Sequence, residues 1–126
     1  MANIVKLRKG LDIALKGKPA RELMDVKSSA EYALVPNDFT GVTPKVVVKE
    51  GQMVKTGEAL FIDKRHPEVK FVSPVSGKVS LVERGARRKV MSVRVAAEGN
   101  EMVDFGKKNV ATLTGDQVKE ALLEAG

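Results

Sequence analysis

The side chains with the widest chemical range stand in one short stretch, Asp63-Lys64-Arg65-His66-Pro67-Glu68. It holds the chain's one histidine, a lysine beside an aspartate, and a second carboxylate at Glu68. The His66 imidazole can give or take a proton near neutral pH, and the Lys64 amine is a site for covalent attachment. In a polar turn beside proline, both also read as ordinary solvated side chains. Asp63 and Glu68 could meet a cation, but two carboxylates without a further oxygen cluster fall short of the ligands a calcium loop needs, so no metal is expected. The second concentration of chemistry is Arg84-Gly85-Ala86-Arg87-Arg88-Lys89, the densest positive run in the chain. Arg84, Arg87, Arg88 and Lys89 read either as a charged hairpin or as a surface that docks onto an acidic protein or anionic lipid heads.

Composition removes most other chemistries. With no cysteine, thiolate zinc sites, iron–sulfur ligation, disulfides and cysteine nucleophiles are excluded, and a single histidine leaves little for a catalytic triad or a multi-histidine metal site. No G-x-G-x-x-G phosphate loop is present. The 126 residues carry 22 Lys+Arg against 16 Asp+Glu, a net +6. That excess would suit an RNA-binding β domain, but the basic residues are spread along the chain, and one Tyr and four Phe leave little to stack on bases. No nucleic-acid partner is expected. The apolar runs, such as 46–48 and 59–62, are far below the ~20 residues of a membrane span. Lys6, Arg8, Lys9 and Asp12 stand where a signal peptide needs its apolar region, so the N-terminus reads as mature sequence of a cytoplasmic protein.

The elements that must position these residues are short strands. Residues 1–40 read as an irregular extension with a strand-like piece at 4–7, a turn at Gly17-Lys18-Pro19 and a break at Pro36-Asn37-Asp38. Residues 41–106 read as a β domain. Alternation places Val79 and Leu81 on one face, and Met91, Val93 and Val95 against Ser92 and Arg94, with the arginine-rich hairpin joining the two strands. Residues 107–126 read as a linker and a helix: Thr114 and Gln117 have the spacing of a capping box, and Val118, Ala121, Leu122 and Ala125 form an apolar stripe. The stripe belongs either against the β domain or against a part of a longer protein.

Within the β region, EGQMVKTGEALFI (50–62) places Gly51 and Gly57 at two turns with Val54 anchoring the loop between them. SPVSGKVSLV (73–82) then crosses at Pro74 and turns at Gly77. Two such halves can pack as a flattened barrel with quasi-twofold symmetry. This pattern, with a hairpin between its halves, resembles the barrel-sandwich hybrid of biotinyl and lipoyl carrier domains, whose modified lysine sits on that hairpin. Asp63-Lys64 echoes the lipoyl Asp-Lys signature, so Lys64 as an attachment site is the alternative reading.

A broader resemblance covers nearly the whole chain. KLRKGLDIALKGKP, the segment PKVVVKEGQMVKTGEALFIDKRHPEVKFVSPVSGKV, RGARRKV and LTGDQVKEALLEAG are together similar to the N-terminal part of the A subunit of the bacterial sodium-translocating NADH:quinone oxidoreductases. The C subunit of the related Rnf complexes shares the KGLDI opening and the barrel. The resemblance implies a mainly β fold, a barrel-sandwich hybrid with a short C-terminal helix. It also implies an N-terminal fragment of a longer peripheral subunit on the cytoplasmic face of the inner membrane, with the complex's other subunits as partners. Quinone, NADH, flavins and iron centres would belong to the complex. The chain itself would hold no catalytic, cofactor or metal site and would show no redox activity alone. In this setting His66 has a sharper reading, a proton donor to quinone, and Tyr32 and Phe39 are either a satellite core or part of a quinone pocket.

Overall fold

In the computed structural model, which describes Gly10 and residues 16–126, the described residues form two antiparallel sheets around one apolar core, with a single α-helix beside them. The strands are β1 (Glu31–Leu34), β2 (Pro44–Val46), β3 (Met53–Val54), β4 (Ala59–Asp63), β5 (Lys70–Val72), β6 (Gly77–Arg84) and β7 (Val90–Ala97), followed by α1 (Gly115–Ala125). One sheet has the order β1-β7-β6-β3 and the other β2-β4-β5. The chain therefore passes from one sheet to the other between β1 and β2, β2 and β3, β3 and β4, and β5 and β6, which closes the two curled sheets into the flattened barrel that the glycine pattern implies. The expected strand at 4–7 lies outside the described residues. β1 falls in the stretch read as an extension, yet it pairs with β7 from Glu31↔Ala96 to Leu34↔Val93, so the sheet begins ahead of residue 41. The break at Pro36-Asn37-Asp38 is one turn of 3-10 helix.

The repeat glycines do what their spacing requires. Gly51 and Gly57 have φ of +83° and +89°, values at which a side chain is strained, and Val54 between them is buried. Gly57 N–H donates to the Ser73 carbonyl at 2.9 Å and Ser73 N–H returns to Glu58 at 2.8 Å, tying the turn to the crossing at Pro74. The core is Val48, Val54, Leu60, Phe61, Val79, Val90, Val93 and Val95, all β-formers except leucine. Phe39 and Phe71 extend it: Phe61 stacks on Phe71 with centroids 4.7 Å apart, and Phe39 lies 4.6 Å from Phe71. Phe39 thus lies against the rim of this core with its ring 36% exposed, while Tyr32 accepts a hydrogen bond from Ser29 N–H at 3.3 Å on the far edge strand.

Two alternation readings fail, for one physical reason. The β6–β7 ladder slips between Val79 and Leu81 and again between Glu83 and Arg84. Each slip is a bulge, and an extra residue reverses which face the following side chains take. Val79 is buried but Leu81 is exposed, and Val82 turns toward the core instead. On β7, Val93 and Val95 are buried as expected, but Met91 points out and Val90 takes the inner place.

Helix α1 begins where the sequence marks it. Thr114 Oγ1 accepts from Gln117 N–H, and the Gln117 side chain accepts from Thr114 N–H at 3.0 Å, a complete capping box. The helix lies beside β5, with Lys108 and Glu124 paired at 3.4 Å. Its apolar stripe is only half covered: Leu122 remains 68% exposed beside Phe105, Val110 and Leu113. None of the helices among the described residues is long and apolar enough to cross a membrane.

Candidate functional site

The stretch from Asp63 to Glu68 closes the hairpin between β4 and β5, and its first residue organises it. Asp63 is 6% exposed at the end of β4, opposite Pro44 of β2. Its Oδ1 accepts from Thr43 N–H at 3.0 Å and from Arg65 N–H at 3.3 Å. Lys64 N–H in turn donates to the Thr43 carbonyl at 2.8 Å, so one carboxylate and one backbone pair fix both sides of the lysine. The Thr43 hydrogen bond holds the Asp63 carboxyl below its ordinary value. Burial opposes that effect, and the Arg65 N–H with the charges of Arg65 and His66 adds to it.

A carboxylate held below its ordinary value favours the folded state above the unfolded-state value, and that contribution disappears as pH falls through the folded one. We therefore expect the melting temperature of the chain to drop as pH is lowered through and below 3.8, the ordinary Asp63 value. Asp63→Asn should lower the melting temperature at neutral pH and flatten the acid limb. Parallel acid limbs for the two proteins would show that this carboxylate does not anchor the hairpin. Glu83 is also held low, first by the Ser92 hydroxyl and then by Arg94, so the comparison must be between Asp63→Asn and the parent chain rather than of the parent chain alone.

The remaining hairpin side chains face solvent. His66 Nδ1 lies 3.7 Å from Glu68 Oε1, both well exposed, and no apolar wall surrounds them. Glu68 is thereby turned to the histidine while the Asp63 carboxylate is turned inward to backbone N–H groups, so the two acids do not converge. Tyr32 and Phe39 do not converge either: Tyr32 lines a shallow depression with Glu83, Ser92 and Arg94, whereas Phe39 packs against the Phe61 and Phe71 rings.

The structure does bring Lys64 to the arginine cluster. Lys64, from the β4–β5 hairpin, lines an open cleft of about 460 Å3 together with Arg84, Arg87, Arg88 and Lys89, from the β6–β7 hairpin, and with Thr43, Pro44 and Val90. The cleft sits where the two sheets meet at one end of the barrel. None of the five cations forms an ion pair with a carboxylate among the described residues. Their hairpin is held tightly: Gly85 N–H donates to the Lys89 carbonyl at 2.8 Å, Lys89 N–H to Ala86 at 3.2 Å, and Arg84 Nη1 to Arg88 at 3.3 Å. Arg87 and Arg88 have φ of +54° and +60°, the only positive values outside glycine among the described residues. Such backbone costs about 1–2 kcal/mol per residue, so the loop keeps two arginines where glycine would be easier. Thr43 is the participant that the sequence reading missed. It stands twenty positions before Asp63, and no local pattern links the two.

The family profile described as the NqrA N-terminal barrel-sandwich hybrid domain matches residues 5–98. The chain is 37% identical to the A subunit of the Na(+)-translocating NADH-quinone reductase of a Neisseria meningitidis serogroup A strain, across 98% of this chain and 28% of that protein. The corresponding subunit of Actinobacillus succinogenes is 40% identical and that of Yersinia pseudotuberculosis 37%, each over the same shares of the two chains. The chain thus spans about 28% of the length of the relatives it matches. By the extent of these matches and the fold that accompanies them, the chain belongs to the family of NqrA N-terminal barrel-sandwich hybrid domains.

Proposed function

We propose that this chain serves as the structural and docking domain of the NqrA subunit in a Na(+)-translocating NADH-quinone reductase, at the cytoplasmic face of the membrane. The observation that carries the reading is the cluster of five cations without carboxylate partners, among the described residues, at one end of the barrel. A barrel whose remaining ionisable residues are scattered or paired has one face with a strong field, and such a face orients a domain against an anionic surface. Quinone, NADH, flavins and iron centres belong in this reading to the rest of the complex, and the chain contributes position rather than electron transfer. Lys64 acts here as one of the cleft's charges, which distinguishes this reading from a carrier lysine standing alone on its hairpin.

The test replaces Arg84, Arg87, Arg88 and Lys89 with Ser in the full-length NqrA protein. Exposed side chains outside the core change stability by about 0.5 kcal/mol or less each, so the variant should fold. We expect it to be lost from the purified complex as salt is raised to levels the parent survives. Assembly and salt tolerance equal to the parent would end the docking reading.

A further inference from the structure

We infer that the cleft between the two hairpins is a binding site for a phosphate group, with Lys64 and Arg84, Arg87, Arg88 and Lys89 as its ligands. The inference deepens the docking reading, on whose residues it rests, by naming what that surface recognises.

Three observations carry it. First, the cations come from two separate hairpins and line one open cleft. Lys64 follows β4 of one sheet and the arginines join β6 to β7 in the other, so the charges converge only through the tertiary fold. Second, nothing on the lining neutralises them. The carboxylates that flank Lys64 and the arginine cluster in sequence are engaged elsewhere: Asp63 Oδ1 accepts from two backbone N–H groups, Glu68 is turned toward His66, and Glu83 is held by Ser92 and Arg94. Third, the backbone at Arg87 and Arg88 is held in the left-handed region, where strain in a non-glycine residue tends to mark a site built for a ligand.

The size and charge of the space select the ligand class. A space of about 460 Å3 is of small-molecule size. An acidic peptide spreads single carboxylates along the chain at about 3.3 Å per residue or more when extended, whereas a phosphate ester concentrates roughly −1.5 to −2 on one group with three acceptor oxygens. Guanidinium forks match those oxygens two at a time, and a lysine adds a point charge from the other hairpin. The Thr43 hydroxyl at the side of the cleft can supply a neutral donor. The same chemistry is offered by a free phosphate compound and by the headgroup of an anionic phospholipid.

Two probes separate those sources: inorganic pyrophosphate, titrated into the 126-residue chain at constant ionic strength, and co-sedimentation with vesicles of phosphatidylglycerol in phosphatidylcholine. Two variants report on the site. Lys64→Met removes the charge of the β4–β5 hairpin, and Arg87→Gly with Arg88→Gly removes two charges while giving the loop the residue its backbone prefers, so folding is not at risk. We expect each variant to weaken binding by about tenfold or more, the scale of a lost charge-assisted hydrogen bond. Pyrophosphate binding that both variants weaken supports a free phosphate ligand. Vesicle binding that both weaken, without pyrophosphate binding, supports a lipid headgroup. Binding to neither probe, or binding that Lys64→Met leaves unchanged, overturns the inference. Loss of assembly in the four-serine variant together with no phosphate binding would overturn this inference and leave docking standing. Phosphate binding by a chain whose complex assembles normally without the arginines would do the reverse.

Discussion

Phe61→Ala should cost the chain about 3–5 kcal/mol of unfolding free energy, the largest loss expected from any single truncation in the core. Phe61 is 0% exposed on β4, the central strand of its sheet. It stacks on Phe71 at 4.7 Å and meets Phe39 edge-on at 6.3 Å, so two of the chain's other three phenylalanines pack against it. The adjacent Leu60 is also buried, because the β4–β5 ladder slips between Ala59 and Phe61 and both side chains turn inward. The remaining core is mainly valine, whose short side chain cannot swing across to fill a ring-sized hole. A small domain is stable by only about 5–15 kcal/mol in total, so the substitution should shift the urea midpoint of the chain by a large fraction of its value. Phe39→Ala should cost less, since that ring is 36% exposed and leaves no sealed cavity. A loss below about 1.5 kcal/mol for Phe61→Ala, typical of a conservative swap, would mean that the two sheets close over the gap and that the aromatic stack does not set their spacing.

What the sequence makes legible here is what neighbours in the chain enforce. Gly51, Gly57 and the Thr114 capping box are local devices: a positive φ or a side chain reaching three residues on, each visible in a short window. The arginine-rich hairpin is legible for the same reason. Leu81 and Met91 are misread because a bulge is a property of two strands together, and the alternation of either strand alone carries no trace of the partner's extra residue. The edge strand β1 is hidden likewise, since Glu31–Leu34 becomes a strand only by pairing with β7, some sixty residues away. The cleft is the sharpest case. Lys64 and the arginine cluster are each conspicuous in the sequence, but their meeting depends on Thr43 anchoring one hairpin and on the ladder β6–β7 carrying the other to the same end of the barrel. Residue type is readable and placement is not, because placement is set by long-range closure of two sheets.

The same closure makes Gly77 the position least tolerant of change. We expect Gly77→Ala to destabilise the chain by more than about 3 kcal/mol, in the range reserved for backbone strain combined with overpacking. Gly77 is buried at the start of β6, where the chain arrives from the other sheet, and has φ of +154°. A methyl group there would overlap the Ala96 carbonyl oxygen and lie 2.8 Å from the Glu98 nitrogen and 2.9 Å from the Ala96 carbonyl carbon. These are backbone atoms, and they cannot retreat as a side chain can. Ala97 pairs with Gly77 in the ladder, Ala97 N–H donates to Ala30, and Glu98 N–H donates to Ser76 at 2.9 Å, so moving that strand breaks contacts on both of its sides. Gly115→Ala is the matched control: the added methyl meets open space at the first turn of α1, where alanine should be neutral or stabilising by up to about 1 kcal/mol. The melting temperature of Gly77→Ala should therefore fall well below the parent's, while that of Gly115→Ala stays level or rises. Equal melting temperatures would show that the crossing from β5 to β6 can relax. The end of β7 would then be free to shift, and the barrel would not be rigid enough to hold its two basic hairpins at a fixed distance.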